Sequence, residues 1–226
     1  NITYGGLDDQ YYTYPQGAGQ GNGAGPPLWG LSSSSMFEVL RDRGFASSFV
    51  TPISQEVLEI LGFAFVDDTD LIKSGSQNDP DTTVTGMQDI VDCWEGVAKT
   101  TGGAIDPSKS WWYLVHFDWK DSKWTYGDLQ NVINDELSVK NKDGERVQLK
   151  FLSADEAAEM LGVFLAPDGN NKAQIRKMTQ KAIDAGEKIK CSNLDRNSAW
   201  TALQTMTMKS LQYPLPALTL SSIECK

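Results

Sequence analysis

Three aspartates within four residues, Asp67, Asp68 and Asp70, follow directly on the apolar run Gly62-Phe63-Ala64-Phe65-Val66. Carboxylate oxygens suit a hard cation such as magnesium, which takes only one or two of them from a protein and keeps water in its other positions. Adjacent strand residues point to opposite faces, so Asp67 and Asp68 converge on one ion only where the chain turns. Aspartates are equally at home as plain solvated turn residues. On this stretch alone the two readings stand side by side.

The elements that must hold these residues can be read from periodicity and punctuation. Residues 61–72 read as a hairpin: a short apolar strand, Asp67-Asp68-Thr69-Asp70 as turn chemistry, then Leu71 and Ile72 resuming the apolar pattern. Upstream, residues 16–27 form a glycine-dense loop. Pro26 and Pro27 mark a helix start, Leu28, Leu31, Met36, Val39 and Leu40 follow at helical spacing, and Gly44 closes a helix over 28–43. Val84, Met87, Ile90, Val91, Trp94, Val97 and Ala98 predict an amphipathic helix over 84–100 capped by Gly102.

Further on, Trp111, Tyr113, Val115, Phe117 and Trp119 alternate as in a strand, and cross-strand and core packing is the expectation for these rings rather than a base-stacking platform. A short helix is expected near 128–137, a hairpin around Asp143-Gly144, and an apolar strand over 160–166 ended by Pro167-Asp168-Gly169. Ile175, Met178, Ala182 and Ile189 fit one late helix, and Trp200, Leu203, Thr207 and Leu211 fit another before Pro214. The fold class is therefore expected to be α+β. An antiparallel sheet carries the hairpin, the helices at 28–43 and 84–100 pack on one face, and a helical segment begins near residue 170.

Composition narrows the functions. With 226 residues, 40% of them hydrophobic, the chain can build a sizeable core, and no apolar run reaches membrane-spanning length. The sequence opens at Asn1 without a charged-then-apolar leader, so the expectation is a piece of a longer protein whose upstream part is missing. Cys93, Cys191 and Cys225 are odd in number and widely spaced, which indicates neither a disulfide framework nor a zinc knuckle and fits a reducing, intracellular setting. A lone histidine, His116, cannot assemble a His-rich metal site or a Ser-His-Asp triad and reads as structural. A net charge of −10 argues globally against a nucleic-acid partner. Residues 170–190 run the other way, with Lys172, Arg176, Lys177, Lys181, Lys188 and Lys190 against Asp184 and Glu187.

Taken in order, four stretches resemble the palm of reverse transcriptases. Gln20-Gly21-Asn22-Gly23-Ala24-Gly25-Pro26 is similar to that family's loop-helix motif Gln-Gly-x-x-x-Ser-Pro, with Gly25 in place of serine. Phe65-Val66-Asp67-Asp68 resembles the catalytic hairpin, aromatic-x-Asp-Asp. Residues 102–109 before the aromatic strand resemble the segment in which a lysine, here Lys109, approaches the incoming nucleotide. Leu161-Gly162-Val163 with Asp168-Gly169 resembles the Leu-Gly turn that grips the primer, and the late helices resemble the start of the thumb. The resemblance runs from about residue 16 to residue 190. It implies a partial palm over 1–169 and a thumb-like segment over 170–226.

The resemblance further implies RNA-directed DNA synthesis by two-metal nucleotidyl transfer. Asp67 and Asp68 would hold Mg2+, or Mn2+ in its place. RNA or DNA template-primer and deoxynucleoside triphosphates would be the ligands, with no membrane involved. Gln20, Gly21, Gly25, Pro26 and Lys109 would face template or nucleotide. Leu161, Gly162, Lys172, Arg176, Lys177 and Lys181 would run beside the primer backbone. The family's further catalytic aspartate lies upstream of the Gln-Gly motif, where only Asp8 and Asp9 stand, in a context that does not match. That partner and the fingers are therefore expected in the missing part of the same polyprotein, and the chain alone is expected to be inactive. Two other readings remain open at this stage. One is a non-catalytic remnant that binds nucleic acid. The other is a haloacid-dehalogenase-like phosphatase, whose Asp-x-Asp spacing Asp68-Thr69-Asp70 shares; a parallel sheet around Phe65 would favour it, an antiparallel hairpin the polymerase.

Overall fold

The computed structural model describes residues 23–65, 68–75, 79–127, 136–141 and 144–221. In chain order they form α1 (Gly25–Asp42), β1 (Ser47–Val50), β2 (Val57–Ile60), β3 (Gly62–Phe65), β4 (Asp68–Leu71), α2 (Pro80–Thr100), a 3-10 turn (Pro107–Lys109) and β5 (Trp111–Tyr113). Then come β6 (Phe117–Lys120), β7 (Lys123–Tyr126), β8 (Ser138–Lys140), β9 (Arg146–Gln148), β10 (Lys150–Leu152), β11 (Ala158–Met160) and β12 (Val163–Leu165). Helices α3 (Lys172–Cys191), α4 (Arg196–Ala202) and α5 (Lys209–Gln212) follow, with a π-helical stretch (Leu203–Met208) joining the last two where one regular helix was expected.

The architecture is mixed α+β, in two compact units: residues 1–112 with 128–150, and residues 113–127 with 151–226. Antiparallel hairpins β1–β2, β3–β4, β6–β7, β8–β9 and β11–β12 replace the single antiparallel sheet that periodicity suggests. Each ladder runs only three or four residues. Five of the six strand pairings among the described residues join neighbours in sequence, and the sixth sets β10 beside β5.

In the first unit the helix boundaries follow from capping. The Asp79 side chain accepts the Thr82 N–H at 3.0 Å ahead of Pro80, the first residue of α2. At the other end Gly102 is left-handed, its N–H donates to Lys99 O, and the Gly103 N–H donates to Ala98 O. This is a Schellman motif, and Gly44 ends α1 in the same way. Met36 and Leu40 of α1, Leu61, and Ile90, Cys93, Trp94 and Ala98 of α2 make one buried cluster, with Phe37 tilted on Trp94 at 5.1 Å. Leu71 of β4 packs against the same cluster, which ties the acidic hairpin to both helices.

In the second unit apolar burial is thin, and polar staples carry the packing. Leu152, Ala158 and Val163 are its buried apolar residues among those described. The Gln174 carboxamide oxygen, on a side chain 2% exposed, accepts the Phe164 N–H at 2.8 Å, and the Asn171 side chain donates to Thr219 O at 2.7 Å. Two expectations change here. The aromatic strand expected over 111–119 stops at Tyr113, whose hydroxyl donates to Glu156 O, and a new ladder starts at Phe117. The apolar run 160–166 is a hairpin end, because Leu161 and Gly162 both have positive φ, 50° and 83°. Two consecutive left-handed residues are what a two-residue type I′ connection requires. The helix expected near 128–137 falls mostly outside the described residues, and Glu136 and Leu137 are not helical.

Candidate active site

Hairpin β3–β4 pairs Gly62 with Leu71, Phe63 with Asp70, Ala64 with Thr69 and Phe65 with Asp68. Residues directly opposite share a face. Gly62, Ala64, Thr69 and Leu71 form the inner face toward the core, while Phe63, Phe65, Asp68 and Asp70 stand on the outer face, all exposed. Thr69 and Asp70, expected in the turn, are strand residues, because the ladder closes already at Phe65 and Asp68. Asp67 lies outside the described residues, as do Gln20 and Gly21.

The base of the hairpin is held by a small polar clamp. The Ile72 N–H donates to Leu61 O at 2.8 Å. The Ser47 hydroxyl, on a residue 2% exposed, donates to Ile72 O at 3.3 Å and accepts the Ser74 N–H at 2.8 Å. Gly62 is required for the pairing itself, since a Cβ there would lie 2.1 Å from Asp70 O.

Electrostatically the outer face is acidic. Partial burial, and then the neighbouring charge of Asp68, raise the Asp70 carboxyl above its ordinary range. A cation would relieve that field, and the exposed Asp68 supplies an oxygen ligand of the kind magnesium takes. Among the described residues no group of three or more His, Cys, Asp or Glu is placed to share an ion.

Of the other first-unit residues, Gly25 opens α1 ahead of Pro26, and nothing lies within 4 Å of where its Cβ would be, so a serine side chain would fit there. Lys109 ends the 3-10 turn with its side chain exposed, 3.9 Å from Asp106, whose carboxylate accepts from Ser108.

In the second unit the Leu161-Gly162 turn is fastened from two helices. The Tyr213 hydroxyl, just beyond α5, donates to Leu161 O at 2.9 Å, and Lys177 Nζ donates to Gly162 O at 3.3 Å. Lys177 also pairs with Glu159 at 2.5 Å and lies 4.7 Å over the Phe164 ring. It is thus a fastener of the turn. Lys172, Arg176 and Lys181 are exposed on α3 and make no ion pair among the described residues. The stripe expected to bury α3 is only half-buried at Ile175, Met178 and Ile189, and Ala182 is exposed. Arg176→Ala with Lys181→Ala should leave the fold intact and, if both side chains meet phosphate, flatten the log-log salt slope of duplex binding by about 1.8. Lys177→Ala should instead lower thermal stability. A titration over salt concentration and a melting curve read the two effects apart.

One set of residues is invisible to motif reading. Along α2, Gln88, Asp92 and Glu95 line the edge that receives β8. The Gln88 carboxamide exchanges hydrogen bonds with Ser138, donating to its carbonyl at 2.9 Å and accepting its N–H at 2.8 Å. Asp92 pairs with Arg146 at 2.9 Å, and Glu95, 4% exposed, accepts the Lys140 N–H at 3.1 Å. The available signal was spacing, since Val84, Val91, Glu95 and Ala98 share one helical stripe and a carboxylate there must find partners. No protein-family model, curated protein or solved structure matches this chain.

Proposed function

We propose that this chain is part of a reverse transcriptase, a partial palm with the start of a thumb, and that the intact protein performs two-metal nucleotidyl transfer on an RNA or DNA template-primer. The observation that carries this reading is the antiparallel β3–β4 hairpin, which sets an exposed Asp68 opposite Phe65 at the end of its ladder. The packing of α1 and α2 with this hairpin through one core supports a palm-type arrangement. A haloacid-dehalogenase-like site would need its Asp-x-Asp behind a parallel strand, whereas Asp68-Thr69-Asp70 lies in an antiparallel ladder.

In this reading Asp67 and Asp68 hold magnesium, with manganese able to replace it. Metal held there would supply activation of a primer 3′-hydroxyl and neutralisation of the leaving pyrophosphate. Lys109, its side chain exposed at 3.9 Å from Asp106, offers a point charge to nucleotide phosphate. The fastened Leu161-Gly162 turn presents a rigid backbone to the primer strand, with Arg176, Lys172 and Lys181 adding charge along α3.

The test is manganese titration followed by NMR. Substoichiometric Mn2+ should broaden resonances of residues 62–71 first, and Asp67→Asn with Asp68→Asn should abolish that localised broadening. Broadening spread evenly over the acidic surface, unchanged in the double variant, overturns the assignment. Primer extension by the chain alone is expected to give no product. Extension abolished by Asp67→Asn would show instead that this aspartate pair suffices for catalysis.

A further inference from the structure

Along α3, Lys172, Arg176, Thr179 and Ile183 recur at spacings of four, three and four residues, so they stand on one helical stripe, and all four are exposed. Of the chain's five arginines, only Arg176 is followed three residues later by a serine or threonine. Arg176-Lys177-Met178-Thr179 places a guanidinium three positions before a hydroxyl and an ammonium two positions before it. Protein kinases that select basic substrates read that pattern, because carboxylates in their clefts pair with the two cations.

The hydroxyl is unengaged. In other helical stretches Thr85, Thr201 and Thr205 each donate to the carbonyl four residues back. The Thr179 side chain makes no hydrogen bond among the described residues, which leaves its Oγ1 free to act as a nucleophile.

A kinase takes its substrate as an extended segment, so α3 must open at Thr179, and its packing permits that from the C-terminal side. Gln174 is the buried residue of the helix, and Lys177 is held by Glu159. Beyond Thr179 no residue of α3 is buried, and Ile183 is 50% exposed. Gly186 lies inside the helix with nothing within 4 Å of where its Cβ would be. An interior glycine weakens a helix, and a stretch with few buried contacts opens locally while the rest of the fold stays closed.

We propose that Thr179 is a phosphorylation site for a serine/threonine kinase that selects basic substrates, and that its phosphate withdraws Lys172 and Arg176 from a nucleic-acid backbone. The second half rests on the polymerase reading, whereas the first does not. In the transfer, Thr179 Oγ1 forms a bond to the γ-phosphorus of ATP as the bond from that phosphorus to the β,γ-bridging oxygen breaks. ADP leaves, and the hydroxyl proton passes to a carboxylate of the kinase. The new group carries a charge of about −1.5 to −2 at neutral pH, enough to cancel the two cations of its own stripe. It stands one helical turn from Arg176, the spacing at which a charge-assisted pair forms along a helix.

The experiment treats the whole chain with magnesium ATP and the catalytic subunit of cyclic-AMP-dependent protein kinase, and locates the phosphate by mass spectrometry. Phosphate is expected on Thr179 and should be absent from that peptide in Thr179→Val. Arg176→Ala should slow the transfer about ten-fold, the effect of losing one hydrogen-bonded charge to the kinase. Gly186→Ala should slow it about five-fold by holding the helix closed. No transfer, transfer to other residues only, or a rate that Arg176→Ala leaves unchanged overturns the phosphosite. Titrations of duplex binding over salt concentration then read the consequence. Phosphorylation should flatten the log-log slope by about 1.8, and kinase-treated Thr179→Val should keep the slope of the untreated protein. A phosphorylated chain with unchanged duplex affinity and slope overturns the second half of the proposal. A chain that binds no duplex in either state strikes the polymerase reading and that second half with it, whereas the phosphosite stands or falls on mass spectrometry alone.

Discussion

Gly62→Ala should dismantle the β3–β4 hairpin, lowering the stability of the first unit by about 3 kcal/mol, the upper range for overpacking. The new methyl would meet Asp70 O at 2.1 Å, with Asp70 C and Leu71 Cα at 3.1 Å behind it. All three are backbone atoms of the paired strand, so no side-chain rotation relieves the clash. The ladder must open, and opening it takes Leu71 off the core and Asp68 away from Phe65. Urea unfolding should show a lower midpoint, and amide exchange across 61–72 should accelerate before exchange in α2 does. A wild-type midpoint and exchange pattern would mean that the strands can part without cost. Gly25→Ser is the control, because nothing lies within 4 Å of that Cβ, and it should change stability little.

Glu95→Ala should cost about 2–3 kcal/mol, the range for leaving a buried hydrogen-bonding group without its partner. The side chain is 6% exposed, 2.5 Å from Lys99 Nζ, and accepts the Lys140 N–H at 3.1 Å. Its loss leaves the Lys140 amide without its acceptor in the edge that receives β8, whereas the half-exposed Lys99 ammonium turns to water. Glu95→Gln keeps an acceptor for Lys140 and should cost less, about 1–2 kcal/mol.

The same site predicts a pH dependence. Burial pushes the Glu95 carboxyl up, but the hydrogen bonds from Lys99 and Lys140 and their positive charges outweigh it and hold the group below its ordinary range. A carboxyl with a depressed folded pKa stabilises the protein above its unfolded value, about 4.3 for glutamate, and that contribution disappears as pH falls through the folded pKa. The wild type should therefore lose stability steeply below about pH 4.3, and Glu95→Gln should show a shallower acid limb. Parallel acid limbs in the two proteins would assign the acid sensitivity to other carboxylates, Asp92 with its Arg146 partner foremost.

The helix limits were legible in the sequence because they depend on groups a few residues apart. Pro26 pre-sets φ at the first turn of α1, Gly44 and Gly102 alone take the left-handed residue a Schellman end needs, and the bodies of α1, α2 and α3 lie where spacing places them, although α2 starts at Pro80, four residues ahead of the apolar stripe that marks it. The acidic hairpin was legible for the same reason, as an apolar run broken by turn residues and resumed. Strand alternation also put Phe117 with Trp119 on one face. What alternation cannot say is whether anything covers that face, and only the tertiary structure leaves those rings open. Tertiary structure likewise decided that Asp68 and Asp70 belong to a strand, that Lys177 fastens a turn, and that Glu95 receives an amide 45 residues away. Local φ/ψ and capping are written within a turn of chain, whereas burial and partner choice depend on groups that folding alone brings together.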